Sequence, residues 1–161
     1  TMARILFIDD DAGGRQMAAY NLRDAGHEVD EAEEAQTGLS RFSPESYDLV
    51  ITDVRMPGLS GIEVTKQVRQ QAEGVPVLVI TAFGNVETAV EAMKAGATDF
   101  VIKPFSRDQL LLVVEKALER QRLERENREL RRKLLGCYLR IPRHILLYRI
   151  EKYGIERPAK R

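Results

Sequence analysis

The residues of this chain that could do chemistry are mostly acidic, and they sit at the ends of short apolar runs. Asp9, Asp10 and Asp11 follow Ile5-Leu6-Phe7-Ile8, and Asp53 follows Leu49-Val50-Ile51-Thr52. Thr81 and Ala82 follow a run ending at Ile80, and Lys103 and Pro104 follow Phe100-Val101-Ile102. Adjacent carboxylates repel one another unless a cation lies between them. A hard divalent ion suits them, and Mg²⁺ prefers one or two carboxylates with its other positions filled by water or phosphate oxygens. Asp9, Asp10 and Asp53 make a half-built site of this kind. A phosphoryl group would complete it, with Asp53 as a carboxylate nucleophile. Lys103 would neutralise one phosphoryl oxygen and the Thr81 hydroxyl would donate to another, which is phosphoryl transfer by positioning and charge neutralisation.

Taken singly, each piece has a simpler explanation. An aspartate run after a strand is commonly a helix N-cap, a lone Asp or Thr at a strand end is a turn residue, and Lys-Pro is a loop. The elements that must position these residues argue for the joint reading. Candidate strands Arg4–Ile8, Glu28–Asp30, Leu49–Thr52, Val75–Ile80 and Phe100–Ile102 are brief and apolar, as strands buried on both faces are. Between them lie helical stripes: Met17, Ala18, Leu22 and Ala25; Val64 and Val68; Val86, Val90, Met93 and Ala97. Repeating strand–helix units predict an α/β fold, a doubly wound parallel sheet covered on both faces. In such a sheet the functional crevice lies beyond the carboxyl ends of the strands, which is where all of these residues fall.

Composition bounds the rest. The 161 residues suffice for one domain and an extension, and 43% hydrophobic content supplies a core. The formal net charge of zero conceals a split: residues 1–105 hold 9 basic and 17 acidic side chains, and residues 106–161 hold 16 basic and 8 acidic. One cysteine, Cys137, leaves no internal disulfide or Cys-based zinc site. No apolar stretch approaches the ~18 residues of a membrane span, so a cytoplasmic protein is expected. Gly13-Gly14 is not followed by a phosphate-loop motif.

From Arg107 to Leu135 there is neither Gly nor Pro, which predicts one long helix. Leu110, Leu111, Val113, Val114, Ala117 and Leu118 give its first half a broad apolar face. Its second half narrows to Leu123, Asn127, Leu130 and Leu134, the a/d spacing of a coiled coil with Asn at an a position. Glu124/Arg128 and Glu129/Lys133 add i,i+4 pairs in the better order. The last 26 residues hold seven basic and two acidic side chains, with Ile145, Leu146, Leu147, Ile150 and Tyr153 in a loose stripe. That is weak ground for nucleic-acid binding, so DNA contact is expected only indirectly.

Asp9-Asp10, then Thr52-Asp53-Val54-Arg55-Met56-Pro57-Gly58, then Thr81-Ala82, then Lys103-Pro104-Phe105 together resemble the receiver domains of two-component response regulators. The resemblance covers roughly residues 3–120. It implies a CheY-like five-stranded sheet of order 2-1-3-4-5 and a phosphoryl group taken by Asp53 from a histidine kinase. It also implies Mg²⁺ held by Asp10, Asp53 and the backbone carbonyl of Arg55, with Asp9 acting mainly through water. Thr81 and Lys103 would contact the phosphoryl group, Phe100 would be the switch aromatic, and the Lys103–Pro104 bond would be cis. Phe rather than the frequent Tyr at position 100 removes any contact that needs a hydroxyl there. Asp11 stands where the family often has Glu.

Thr81-Ala82-Phe83-Gly84 followed by Val86-Glu87-Thr88-Ala89-Val90 resembles the receivers of NtrC-type activators, enhancer-binding regulators of transcription. In that subfamily the fifth helix often continues as a coiled-coil linker. The expected organisation is a receiver over 1–120, an extended helix over 106–135 that pairs two copies in parallel, and a basic tail over 136–161 of unknown role. The output domain is expected to lie outside this chain, and the chain to be a phosphoacceptor rather than an enzyme. Two other readings stay open here. One is a stand-alone receiver working by protein–protein contact; the other is a Mg²⁺-dependent aspartyl phosphatase built on Asp9 and Asp11.

Overall fold

The computed structural model describes residues 2–82, 86–138, 144, 148 and 152. Five strands, β1 (Arg4–Ile8), β2 (Glu28–Ala32), β3 (Leu49–Asp53), β4 (Val77–Ala82) and β5 (Asp99–Lys103), alternate with five helices. These are α1 (Ala12–Asp24), α2 (Ala35–Arg41), α3 (Gly61–Gln71), α4 (Val86–Lys94) and α5 (Arg107–Tyr138). All pairings are parallel and the sheet order is β2-β1-β3-β4-β5, as the resemblance implies. Two compact units divide inside α5, residues Thr1–Arg122 and Leu123–Arg161.

Side chains of a strand alternate between faces, and here both faces are apolar. Ile5, Phe7, Leu49, Ile51, Leu78 and Ile80 pack with Ala18, Ala19 and Leu22 of α1 and Leu110, Val114 and Ala117 of α5. Leu6, Ile8, Val50, Val77 and Val79 pack on the other side with Val64 and Val68 of α3 and Ala92 of α4. A parallel strand covered on both faces loses the polar alternation that would mark it, which is why these strands read as plain apolar runs.

Local signals set the helix ends. Asp11 caps α1 by accepting from Gly14 N at 3.1 Å. Ser60 accepts from Glu63 N at 3.4 Å at the start of α3. At α5 the box is reciprocal: Gln109 N donates to Ser106 Oγ at 3.2 Å, and Ser106 N donates to Gln109 Oε1 at 2.9 Å. Helices α1 and α4 both end on a left-handed glycine. Gly26 (φ 97°) and Gly96 (φ 109°) donate to the carbonyls of Arg23 and Met93, and the next residues bond back to Leu22 and Ala92.

Several sequence expectations need adjustment. β4 begins at Val77 rather than Val75 and runs on to Ala82. β2 continues two residues beyond Asp30, because Asp30, Glu31 and Ala32 pair with Leu6, Phe7 and Ile8. α2 had no periodic stripe to announce it, since its short length buries only Ala35 and Gly38. Of the stripe expected to bury α4, only Ala97 is buried: Val86, Val90 and Met93 are 72%, 47% and 42% exposed, and Ala89 and Ala92 face inward. Alanine lets a short helix sit close to the sheet, and the larger residues are left outside. In the α1 stripe Ala18 and Leu22 are buried as expected, whereas Met17, 64% exposed, and Ala25 face out and Ala19 is buried instead.

α5 runs through Gly136 to Tyr138. Leu110, Val114, Ala117 and Gln121 are buried. Beyond Arg122, Leu123, Leu130 and Leu134 are each more than half exposed, and Asn127 is exposed as well. The loose stripe Ile145, Leu146, Leu147, Ile150 and Tyr153 lies outside the described residues.

Two buried positions give direct tests. Gly61 is buried at the first turn of α3, and a Cβ there would collide with the backbone carbonyl of Asp53. Gly61→Ala is expected to lower stability by about 1–3 kcal/mol, read as a lower urea midpoint with an unchanged slope. His27 is buried, and its Nδ1 accepts from Ala3 N at 3.2 Å, so the ring must be neutral. Burial, only partly opposed by Glu115, holds its pKa below the usual 6.5. A lowered histidine pKa means that the unfolded chain takes up the proton first. Its contribution to stability is therefore complete above about pH 6.5 and is lost as pH falls below it. Urea midpoints should drop over that range for the natural protein and stay flatter for His27→Gln; equal slopes would contradict the assignment.

Candidate functional site

The aspartate run after β1 divides its work. Asp9 N donates to Ala32 O at 3.0 Å, carrying the β1–β2 ladder one residue past the strand and turning the Asp9 side chain into the crevice. Asp9 is 1% exposed, and its Oδ1 accepts from Asp11 N at 3.0 Å. Asp11 is the N-cap of α1. Asp10, between them, is exposed. The capping explanation therefore holds for one of the three aspartates and leaves Asp9 and Asp10 unexplained by it. With Asp11 engaged at the helix start, the Asp9-x-Asp11 pair of the phosphatase reading has no support in the geometry.

Strand register brings the other groups to the same end. Asp53 of β3 lies beside Ile80 of β4, Thr81 beside Ile102 of β5, and Ala82 beside Lys103. Oxygens of Asp9, Asp10 and Asp53 lie within 4.8 Å of one another. Lys103 Nζ donates to Asp53 Oδ2 at 2.6 Å and to Asp9 Oδ2 at 3.2 Å, joining the first, third and fifth strands. Asp53 Oδ1 accepts from Arg55 N at 3.0 Å, which folds the 53–55 segment back over the cluster. The Lys103–Pro104 bond is cis, as the resemblance implies. Phe100 is half-buried on β5, beside Val79.

Negative charge is in excess here. Burial pushes the Asp9 carboxyl above the usual carboxylate range, and the nearby Asp53 charge adds to the push against the relief from Lys103. Burial pulls on Lys103 in the opposite direction, toward a lower pKa, yet the hydrogen bond and charge of Asp53, with Asp9 behind it, carry it above the ordinary lysine value. Three carboxylates against one ammonium leave a need for more positive charge, which a divalent cation meets. Thr81 supplies a second sign of an unfinished site. Its Oγ1 is buried and has no hydrogen-bond partner among the described residues, a condition that costs about 1–3 kcal/mol in a core. A donor hydroxyl at the same end of the sheet as a cation-seeking cluster suits an anionic oxygen. The donor set, hard oxygens with an idle hydroxyl, fits Mg²⁺ and a phosphoryl group together.

Two residues that shape the site escaped sequence reasoning. Gly61 was hidden inside a capping signal, and Ser60-Gly61-Ile62-Glu63 could have drawn attention to it. Arg15 gave no signal, because its partners lie just after β1 and on β2: its Nη1 donates to Asp9 O at 2.6 Å, and its Nε lies 3.6 Å from Glu31 Oε1.

Comparison with known proteins gives the same picture. Residues 5–115 match the family described as response regulator receiver domain. The regulatory protein AtoC of Escherichia coli is 40% identical over 131 residues, covering 81% of this chain and 28% of AtoC. The crystal structure of NtrX from Brucella abortus in complex with ADP superposes with a TM-score of 0.77 at 39% identity, covering 81% of this chain and 30% of that one. A response regulator receiver domain protein from Clostridium thermocellum superposes with a TM-score of 0.72 at 33% identity, covering 75% of this chain and 98% of that one. The chain thus spans under a third of the length of AtoC and of the NtrX chain, and nearly the whole of the Clostridium thermocellum chain. Regulators of the NtrC type are among these relatives, in line with the sequence resemblance. With strand order, acidic crevice and family match in agreement, the chain belongs to the response regulator receiver domain family.

Proposed function

We propose that Asp53 is the phosphoacceptor and that this chain passes a histidine kinase's signal to a transcriptional output. The observation that carries the proposal is the buried Thr81 hydroxyl, without a hydrogen-bond partner among the described residues, at the same end of the sheet as a carboxylate cluster with excess negative charge. A carboxylate oxygen of Asp53 attacks phosphorus, and the bond from phosphorus to the donor's imidazole nitrogen breaks with its electron pair leaving on nitrogen. Lys103, already bonded to Asp53, is placed to pair with a phosphoryl oxygen once the carboxylate charge is used. Thr81 donates its hydroxyl to another. Mg²⁺, held by Asp9, Asp10, Asp53 and the Arg55 carbonyl, would neutralise the incoming oxygens. The chain acts as a phosphoacceptor that assists its own phosphorylation and dephosphorylation, not as an enzyme on other substrates.

The output side of the proposal rests on adjacency. Thr81 and Phe100 lie on neighbouring strands, and the exposed Val86, Val90 and Met93 of α4 and Ile102 of β5 form apolar surface close by. Drawing Thr81 toward added phosphoryl charge opens space for Phe100 and reshapes that surface, a two-state element biased by local electrostatics. Exposed Leu123, Leu130 and Leu134 with Asn127 support a parallel homodimer through α5. Domain limits of 1–120, 106–135 and 136–161 and a cytoplasmic location complete the reading. No helix among the described residues is long and apolar enough to cross a membrane.

Intact mass after incubation with acetyl phosphate and Mg²⁺ tests the acceptor. One phosphoryl group should be gained, only with Mg²⁺, and lost in Asp53→Asn. An adduct that persists in the variant would move the nucleophile to Asp9. Light scattering tests the helix: the protein should be dimeric at tens of micromolar, and Leu130→Lys should make it monomeric without changing phosphorylation. A monomeric natural protein would contradict the pairing.

A further inference from the structure

We infer that Arg15 is a positioning residue for the divalent cation, aiming Asp9 through its backbone, and that Glu31 offsets the charge this arrangement would otherwise bring to the site. The inference rests on the proposed reading of Asp9, Asp10 and Asp53 as the cation cluster.

Arg15 lies one turn into α1, and its side chain is 12% exposed. The guanidinium turns back over the helix start to donate to the carbonyl of Asp9 at 2.6 Å. That carbonyl belongs to the residue whose carboxylate joins the cluster. With its N–H held by Ala32 and its carbonyl by Arg15, the Asp9 peptide is fixed on both sides. Such a backbone clamp sets the direction of the Asp9 and Asp10 side chains before any cation arrives. Groups that orient ligands in this way commonly change metal affinity by 10–100-fold when removed.

A largely buried guanidinium beside a cation site is costly by itself, because it repels the ion. Glu31 offsets part of that cost. Its carboxylate lies 3.6 Å from Arg15 Nε and 3.1 Å from Arg23 Nη2, and its own carbonyl accepts from Arg41 Nη1 at 2.8 Å. The Glu31 residue is therefore held by Arg23 and Arg41, groups that take no part in the site.

This arrangement predicts a sign that electrostatics alone reverses. Deleting a positive charge near a cation site should tighten cation binding; deleting the clamp should loosen it. Mn²⁺, followed by the electron paramagnetic resonance of the free ion, is the probe, with thermal melts to report folding. Arg15→Ala should weaken Mn²⁺ binding roughly tenfold. Arg15→Lys, which keeps a donor, should recover part of that loss. Glu31→Gln leaves the clamp in place and uncovers its charge, and should weaken binding roughly threefold at low salt, with the deficit shrinking as salt is added. Arg15→Ala with equal or tighter Mn²⁺ affinity and an intact melt overturns the inference and leaves the acidic cluster as the cation site. If Arg15→Ala fails to fold, Arg15→Lys and Glu31→Gln decide, and both binding as the natural protein does overturns it. A natural protein that takes up no Mn²⁺ overturns the inference together with the reading beneath it.

Discussion

Like charges gathered at one end of a parallel sheet are the constraint on which the rest of this structure depends. Asp9, Asp10 and Asp53 come from two strands, and Lys103 from a third ties two of them together. Such a pairing in a half-buried crevice is poor evidence for stability, since desolvation consumes much of the Coulombic gain. What it does provide is a fixed arrangement of oxygens around one ammonium that leaves negative charge unbalanced. Burial first, and then the charge of Asp53, raises the carboxyl of Asp9, while Asp53 and Asp9 raise the ammonium of Lys103. On the proposed function, that imbalance is what a divalent cation and then a phosphoryl group would relieve.

The scaffold keeps these side chains in register by burying both faces of the sheet. Strand ends cannot slip by a residue without turning an apolar row over, and here both rows are packed against helices. Helix starts then point at the crevice. α1 is opened by Asp11, next to the cluster, and α3 by Ser60, with Gly61 packed against the Asp53 backbone. Absence of a side chain at Gly61 thus belongs to the site as much as to the core, because α3 could not otherwise approach the residue that carries Asp53.

Apolar surface left outside is the complement of this economy. α4 meets the sheet through alanines and presents its valines and methionine to solvent, and α5 continues past the packed residues with leucines uncovered. On the proposed function these are the surfaces that carry the signal, one beside the switch strands and one along the extended helix. Single exposed hydrophobics are ordinary; a row of them at heptad spacing, with Asn127 at an a position, is what the proposed pairing of two helices would use.

Much of the site was legible in the sequence because each of its groups follows a short apolar run, and parallel topology sends every such end to the same rim. Asp9, Asp53, Thr81 and Lys103 could be placed together for that reason, and the long α5 could be read from the lack of glycine and proline. Periodicity misjudged α4 and part of α1, because a stripe of large apolar residues tells which face is hydrophobic and not which face is small enough to touch a sheet. The clamp of Arg15 on Asp9, the balancing Glu31, the fit of Gly61 and the idle hydroxyl of Thr81 were decided by tertiary structure alone. Each depends on the distance between atoms on different elements, and the order of residues along a chain sets which contacts are possible, while packing chooses among them.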